Sequence, residues 1–313
     1  MTSATLERHI QGDLLRAVEA CEREVVGQAE TLRWLLVAVM AGGHALIEDA
    51  PGSGKTTLAK AVSSVLGGRL RRVQGTADLL PGDLTGSSIW NPESRTFEFI
   101  PGPVFADLLL VDEFNRMPPR TQAVLLEAMQ ERQVTVDGIE HRLSPTFTVL
   151  ATQNPIDAGS FTTPLSVTDR FAVKISPQAL TRADETDVVL RSAADPTHAS
   201  TGVGAPLVSP TDLVAAARNV HVASHVAGYA VDVVARLRQH LGSEVTPSVR
   251  ATTVLIKCAQ GNALLEGRQF VTPGDVQDVA GRVLVHRASV SNGDEFWRAL
   301  GGILDAVPVP IGE

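Results

Sequence analysis

Apolar positions recur along this chain with two different periods, and the change of period divides it. Leu6, Ile10, Leu14, Val18 and Cys21 fall at helical spacing, so residues 4–22 read as an amphipathic helix that Val25-Val26-Gly27-Gln28 breaks. A second helix is predicted from about Ala29 to Met40, stopped by Gly42-Gly43. Short, nearly unbroken apolar runs follow at Ala45–Glu48, Asp107–Val111, Phe147–Ala151 and Phe171–Ile175, the pattern of strands buried on both faces. Leu70–Gln74 reads as a further strand. Helices are predicted at Thr56–Leu66 and Thr121–Arg132, each with its apolar residues on one face. Gln133–His141 alternates around Asp137-Gly138, the strongest short hairpin signal. After Pro177 the strand-like runs stop. Thr181-x-x-Asp184, Ser209-Pro210-x-Asp212 and Thr272-Pro273-x-Asp275 are helix-start signatures, and helices are predicted near 182–194, 210–218, 224–241, 248–265 and 273–287.

Strands alternating with helices predict an α/β fold: an αβα core with a five-stranded parallel sheet over residues 1–177, followed by a smaller all-α domain over residues 178–313. Residues 75–106 are rich in Gly and Pro and read as irregular, with Phe97, Phe99 and Ile100 alternating around Glu98 as a short hairpin arm. Residues 195–208 read as a flexible connection.

The candidate chemistry lies where apolar strands end, as expected of a parallel sheet that binds its ligand at the carboxyl ends of its strands. After Ala45-Leu46-Ile47 comes Glu48-Asp49-Ala50-Pro51-Gly52-Ser53-Gly54-Lys55-Thr56, then a helix. In that context glycine-rich backbone N–H groups and a helix N-terminus cradle phosphate, the lysine reaches the β- and γ-phosphates, and the threonine hydroxyl ligates Mg²⁺. Position 49 is Asp where the phosphate-loop pattern has Gly, and Asp tolerates the turn's positive φ better than most residues. Asp112-Glu113 ends the Asp107–Val111 run: Asp112 stands where a carboxylate holds Mg²⁺, and Glu113 where one polarises an attacking water. Asn154 follows another buried strand, as a water- or γ-phosphate-sensing amide would; beside Pro155 it also suits a turn. Arg170 precedes the fifth strand and suits an arginine acting on a neighbouring subunit's γ-phosphate, or a local pair with Asp169. Arg250 opens a C-terminal helix and suits an arginine reaching that phosphate within its own chain, or an ordinary helix-start arginine.

Composition narrows the field. A net charge of −8 over 313 residues argues against broad binding of nucleic-acid phosphates. The longest uncharged apolar run, about Trp34 to Ile47, is shorter than the ~20 residues of a membrane span, and the first residues do not read as a signal peptide. Cys21 and Cys258 lie far apart in helical patterns and read as core residues of a protein in a reducing, cytoplasmic compartment. The histidines lack metal spacing.

Taken together, these segments resemble the MoxR-type AAA+ ATPases of the helix-2-insert clade over nearly the whole length. The resemblance is carried by Val25-Val26-Gly27-Gln28, Pro51–Thr56, Asp78–Gly86, Phe97-Glu98-Phe99 with Pro101–Ala106, Asp112–Arg116, Leu125–Val134, Ala151–Pro155 and Asp169-Arg170-Phe171. It implies a helix-2 insert at about 75–105 and a presensor hairpin at about 133–142. It also implies a Mg²⁺-dependent ATPase. Val25 and Val26 would lie beside the adenine, and Asp49, Pro51, Gly52, Ser53, Gly54, Lys55, Thr56 and Thr57 around the phosphates. Thr56 and Asp112 would serve the metal, Glu113 the attacking water; Asn154 would be sensor 1, Arg170 the arginine finger and Arg250 sensor 2. Relatives of this type form rings, often hexamers, and act as chaperone-like partners of von Willebrand factor A-domain proteins. The chain departs from the family pattern at Asp49, at Pro164–Thr168 and at Thr246–Arg250. A nucleic-acid motor and a non-hydrolysing nucleotide switch remain as alternatives; the negative charge weighs against the first and the intact Asp112-Glu113 against the second.

Overall fold

A computed structural model describes residues 3–48, 54–154, 160, 161, 163–194, 209–242, 247–288 and 293–310. The predicted loop residues Asp49, Pro51, Gly52 and Ser53 and the connection 195–208 lie outside them. The first half runs α1 (Ser3–Glu24), α2 (Ala29–Met40), β1 (Ala45–Glu48), α3 (Lys55–Leu66), β2 (Leu70–Gln74), α4 (Pro81–Thr85), β3 (Gly86–Asn91), β4 (Thr96–Pro101), β5 (Leu108–Asp112) and α5 (Pro119–Glu131). It continues through β6 (Gln133–Val136), β7 (Ile139–Arg142), β8 (Thr148–Gln153), α6 (Leu165–Thr168) and β9 (Val173–Ile175). Helices complete the chain: α7 (Arg182–Ala194), α8 (Pro210–Asn219), α9 (Ser224–Leu241), α10 (Val249–Leu265), α11 (Pro273–Leu284) and α12 (Gly293–Ala306).

Strands β2, β5, β8, β1 and β9, in that spatial order, form one sheet in which every pairing is parallel. The strand period of two sorts their residues between two cores. Ala45, Ile47, Leu108, Leu110, Leu150, Val173 and Ile175 pack with α1, α2 and α3 in the larger core, which also takes in the C-terminal helices. Leu46, Val73, Leu109, Val111, Val149 and Ala151 pack on the other side against Leu125, Ala128 and Met129 of α5. The fold is therefore an αβα core followed by a helical region.

The helix-start signatures fold as read. Ser209 accepts from the Asp212 amide, Thr272 and Asp275 form a capping box, and Thr181 exchanges hydrogen bonds with Asp184. Asp137 and Gly138 take φ of 52° and 79°, the left-handed pair a two-residue hairpin turn requires, and join β6 to β7.

The structure adds elements that the sequence reading did not have. Residues 75–106 are more regular than expected: α4 leads into an antiparallel β3–β4 hairpin, and the Phe97–Ile100 arm is its second strand. Its first strand begins Gly86-Ser87-Ser88, which has little strand propensity; cross-strand pairing supplies the order. The reading also had no helix at Gly293–Ala306, although Phe296, Leu300 and Ile303 recur at helical spacing and are buried there.

Candidate active site

The carboxyl edge of the sheet gathers the predicted nucleotide residues. Gly54 caps α3 in the left-handed conformation (φ 81°), Lys55 is half-buried at the first position of that helix, and Thr57 is exposed. Thr56 lies in α3, its side chain outside the described residues. Val25 is buried and Val26 half-buried in the turn between α1 and α2, at the same edge. Gln28, next in that turn, donates from Nε2 to the Gln178 carbonyl beyond β9 at 3.4 Å. A cavity of about 60 Å³ opens there between Gly27, Glu30, Trp34, Ile175, Gln178 and Arg282.

Asp112 ends β5 and is only 8% exposed. It continues the row Leu108–Leu110, so it faces the side of the sheet that carries α3. Its Oδ1 accepts from the Thr152 hydroxyl at 3.4 Å, and that hydroxyl oxygen accepts the Glu113 amide at 3.0 Å. Glu113 has a left-handed backbone (φ 56°), rare for a residue with a side chain, which turns the chain sharply at the strand end. Gly75 makes room for this turn: a Cβ there would lie 2.3 Å from the Glu113 carbonyl oxygen.

Strand β2 supplies partners for both carboxylates. Arg72 Nε donates to Asp112 Oδ2 at 2.6 Å, and Gln74 Nε2 to Glu113 Oε2 at 2.7 Å; Arg116 approaches the same Glu113 oxygen at 3.3 Å. Asn154 follows β8, and its carbonyl accepts from Asn115 Nδ2 at 2.9 Å. Sequence reasoning assigned no role to Arg72, Gln74, Asn115 or Thr152. The resemblance had flagged Asn115 and Thr152 only as parts of longer segments, whereas Arg72 and Gln74 lay within the predicted Leu70–Gln74 strand.

Arg170 and Arg250 are elsewhere. Both line a cavity of about 300 Å³ at the amino edge of the sheet, beside Gly42, Gly43 and His44, which lead into β1. Arg132, Arg218 and Lys257 line it too, giving, among the described residues, five cations against the single carboxylate of Asp169. That carboxylate is taken by buried Arg287, whose Nε donates to Asp169 Oδ1 at 2.8 Å. Arg170 Nε is enclosed and has no hydrogen-bond partner among the described residues. Burial and the Arg218 guanidinium both push the Arg132 pKa below its ordinary value, as expected of crowded like charges.

Arg250 lies with Arg170 rather than with Lys55. Helix α10 packs along α2, tied by Arg33 Nη2 to Asn262 Oδ1 at 2.8 Å, and α2 leads into the amino end of β1. The four residues of β1 separate that end from the loop before Lys55, about 13 Å at a strand's rise. Lys55, Asp112, Glu113 and Asn154 thus share one edge of the sheet, and Arg170 and Arg250 share the other.

His44 lines the amino-edge cavity just before β1. It is buried, its Nε2 bonds the Met129 carbonyl at 3.0 Å, and its Nδ1 accepts the Val149 amide at 3.0 Å, which fixes a neutral ring. Burial first, then the charges of Arg132 and Arg250, push its pKa down to about 4. The unfolded chain protonates near 6.5, so between 6.5 and about 4 the unfolded state holds the extra proton. Stability is present above that window and falls as pH drops through it, by about 3 kcal/mol in total for this group. Urea unfolding across pH 4–7 should show that loss in the wild type, with His44→Gln losing about one proton's worth less per pH unit.

The fold and its likeness to known proteins define an ATPase of the AAA class. Residues 44–173 match the ATPase family associated with various cellular activities (AAA), and residues 235–297 match the AAA lid domain. The Bacillus subtilis protein YeaC is 36% identical over 95% of this chain and 94% of its own length. Chaperone MoxR1 of Mycobacterium tuberculosis is 36% identical over 88% of this chain and 75% of its own. A crystal structure of a Cytophaga hutchinsonii protein assigned as an ATPase superposes with a TM-score of 0.88 at 30% identity, covering 99% of this chain and 98% of that one. The chain belongs to the MoxR family of AAA+ ATPases.

Proposed function

We propose that this protein is a Mg²⁺-dependent ATPase that works as a ring, with each site completed by the next subunit, and that it remodels a protein partner. One observation carries the reading: the phosphate-binding helix and the Asp112-Glu113 pair lie at one edge of the sheet, and five cations around Arg170 and Arg250 lie at the opposite edge. A chain arranged in this way cannot bring both sets to one triphosphate by itself. Stacked head to tail in a closed ring, it can.

In that arrangement Lys55 contacts the β- and γ-phosphates, with Val25, Val26 and the segment Asp49–Thr57 around the nucleotide. Asp112 with Thr56 is a hard-oxygen donor set of the kind Mg²⁺ takes, and the ion when bound neutralises charge on the phosphate oxygens. Glu113 accepts a proton from the attacking water, and Asn154, its backbone held by Asn115, presents its amide to the γ-phosphate. Arg170 and Arg250 stabilise the charge that develops on the neighbour's phosphate. We divide the chain into an ATPase domain over residues 1–177, with inserts at about 75–105 and 133–142, and a lid over residues 178–313.

Both hairpins expose apolar side chains, Ile89, Trp90 and Phe97 on one and Ile139 on the other, which suits contact with a protein. A von Willebrand factor A-domain protein is the partner class we propose, with a hexamer as the assembly and the cytoplasm as the compartment. No helix among the described residues is long and apolar enough to cross a membrane. The net charge of −8 weighs against a nucleic-acid substrate.

ATP turnover per chain should rise with protein concentration as subunits associate, tracked in parallel by light scattering. A full rate per chain in dilute, monomeric protein would contradict the shared site.

A further inference from the structure

Arg72 occupies the oxygen that a metal ion would need. Its Nε lies 2.6 Å from Asp112 Oδ2, while Oδ1 is engaged by Thr152. Asp112 is fixed: its side chain is 11% exposed, in register at the end of a strand with neighbours on both sides. Arg72 is not fixed in the same way, since its side chain is 56% exposed on an edge strand. A carboxylate this buried needs a countercharge, because desolvation penalises the bare anion. A guanidinium and a divalent ion at one carboxylate oxygen repel each other and compete for its lone pairs.

We propose that Arg72 is a tethered competitor for the metal: it neutralises Asp112 in the metal-free chain and must leave when Mg²⁺ enters, which sets the metal concentration at which the site becomes competent. The proposal rests on the reading of Asp112 as a metal residue. Arg72 is on this account a positioning residue that acts through Asp112. The exposed side chain has room to swing away without disturbing β2, whose backbone is held by its pairing with β5 from Leu70 to Gln74. Gln74, on the same face of β2, keeps its own contact with Glu113.

The test is Mn²⁺ binding to the full chain saturated with ADP, measured by titration of the free-ion electron paramagnetic resonance signal. Arg72→Ala should bind Mn²⁺ about tenfold more tightly than the wild type, the low end for a charged hydrogen bond because Arg72 is largely exposed. Arg72→Lys should fall between the two. Without metal, Arg72→Ala should melt lower than the wild type, and added Mn²⁺ should raise its melting temperature by more. If Arg72 only holds Asp112 in place, its removal will leave Mn²⁺ affinity unchanged or weaker, and the proposal is overturned; Arg72→Gln gives the same decision if the alanine variant does not fold. Asp112→Asn separates the two layers. Lost Mn²⁺ binding supports the metal reading, and unchanged affinity removes that reading and the proposal with it.

Discussion

Arg170→Ala is expected to lower ATP turnover by about 10³–10⁵-fold while leaving nucleotide affinity in the same chain nearly unchanged. The split follows from position. Arg170 lies at the amino edge of the sheet with four other cations, and Lys55 lies at the carboxyl edge, so the substitution removes nothing that touches the chain's own nucleotide. It should also leave the local fold intact. Arg287 holds the segment by donating to Asp169 Oδ1, to the Asp169 carbonyl at 3.0 Å and to the Phe171 carbonyl at 2.5 Å, without using the Arg170 side chain. Steady-state turnover beside a fluorescent-nucleotide titration checks both halves. Loss of affinity together with rate would place Arg170 in its own chain's site.

Glu113→Gln should reduce turnover by about 10²–10⁴-fold, the usual contribution of a general base, and should trap bound ATP. Glutamine keeps the shape of the side chain, and its carbonyl oxygen can still accept from Gln74, whose Nε2 lies 2.7 Å from the glutamate oxygen. The left-handed turn is set by the backbone and by Gly75, so it persists. The capacity to take a proton is removed, along with the charge that faces Arg116. Near-normal turnover by a folded Glu113→Gln variant would end the assignment of Glu113 as the base; single-turnover quench experiments would show whether bound ATP is cleaved at all.

Much of this architecture was legible because single physical rules governed it. Strands β1, β5 and β8 are buried on both faces, so their apolar runs announced them, and Asp137-Gly138 fixed its hairpin by backbone conformation alone. The residues at the strand ends were legible for the same reason: in a parallel sheet, position after a buried run predicts position at the ligand edge. What escaped depends on packing between distant segments. Arg250 looks like any helix-start arginine until α10 is seen against α2, which carries it to the amino edge. Arg72 and Gln74 are only polar residues of a predicted strand until β5 brings Asp112 and Glu113 beside them. Strand β3 has too little propensity to be read without its partner β4. Helix α12 is the exception, since its buried Phe296, Leu300 and Ile303 carry a helical period in the sequence itself.

The central claim is that one chain's phosphate-binding helix and the next chain's cation cavity make one active site. Mixing two variants tests it directly. Lys55→Ala spoils the first half and Arg170→Ala the second, so each should be inactive alone. In equimolar mixed rings about one interface in four joins an intact helix to an intact cavity, and turnover should return toward that fraction of the wild-type rate. Native mass spectrometry confirms that the variants share rings. Mixed rings that stay as inactive as either parent would contradict the account.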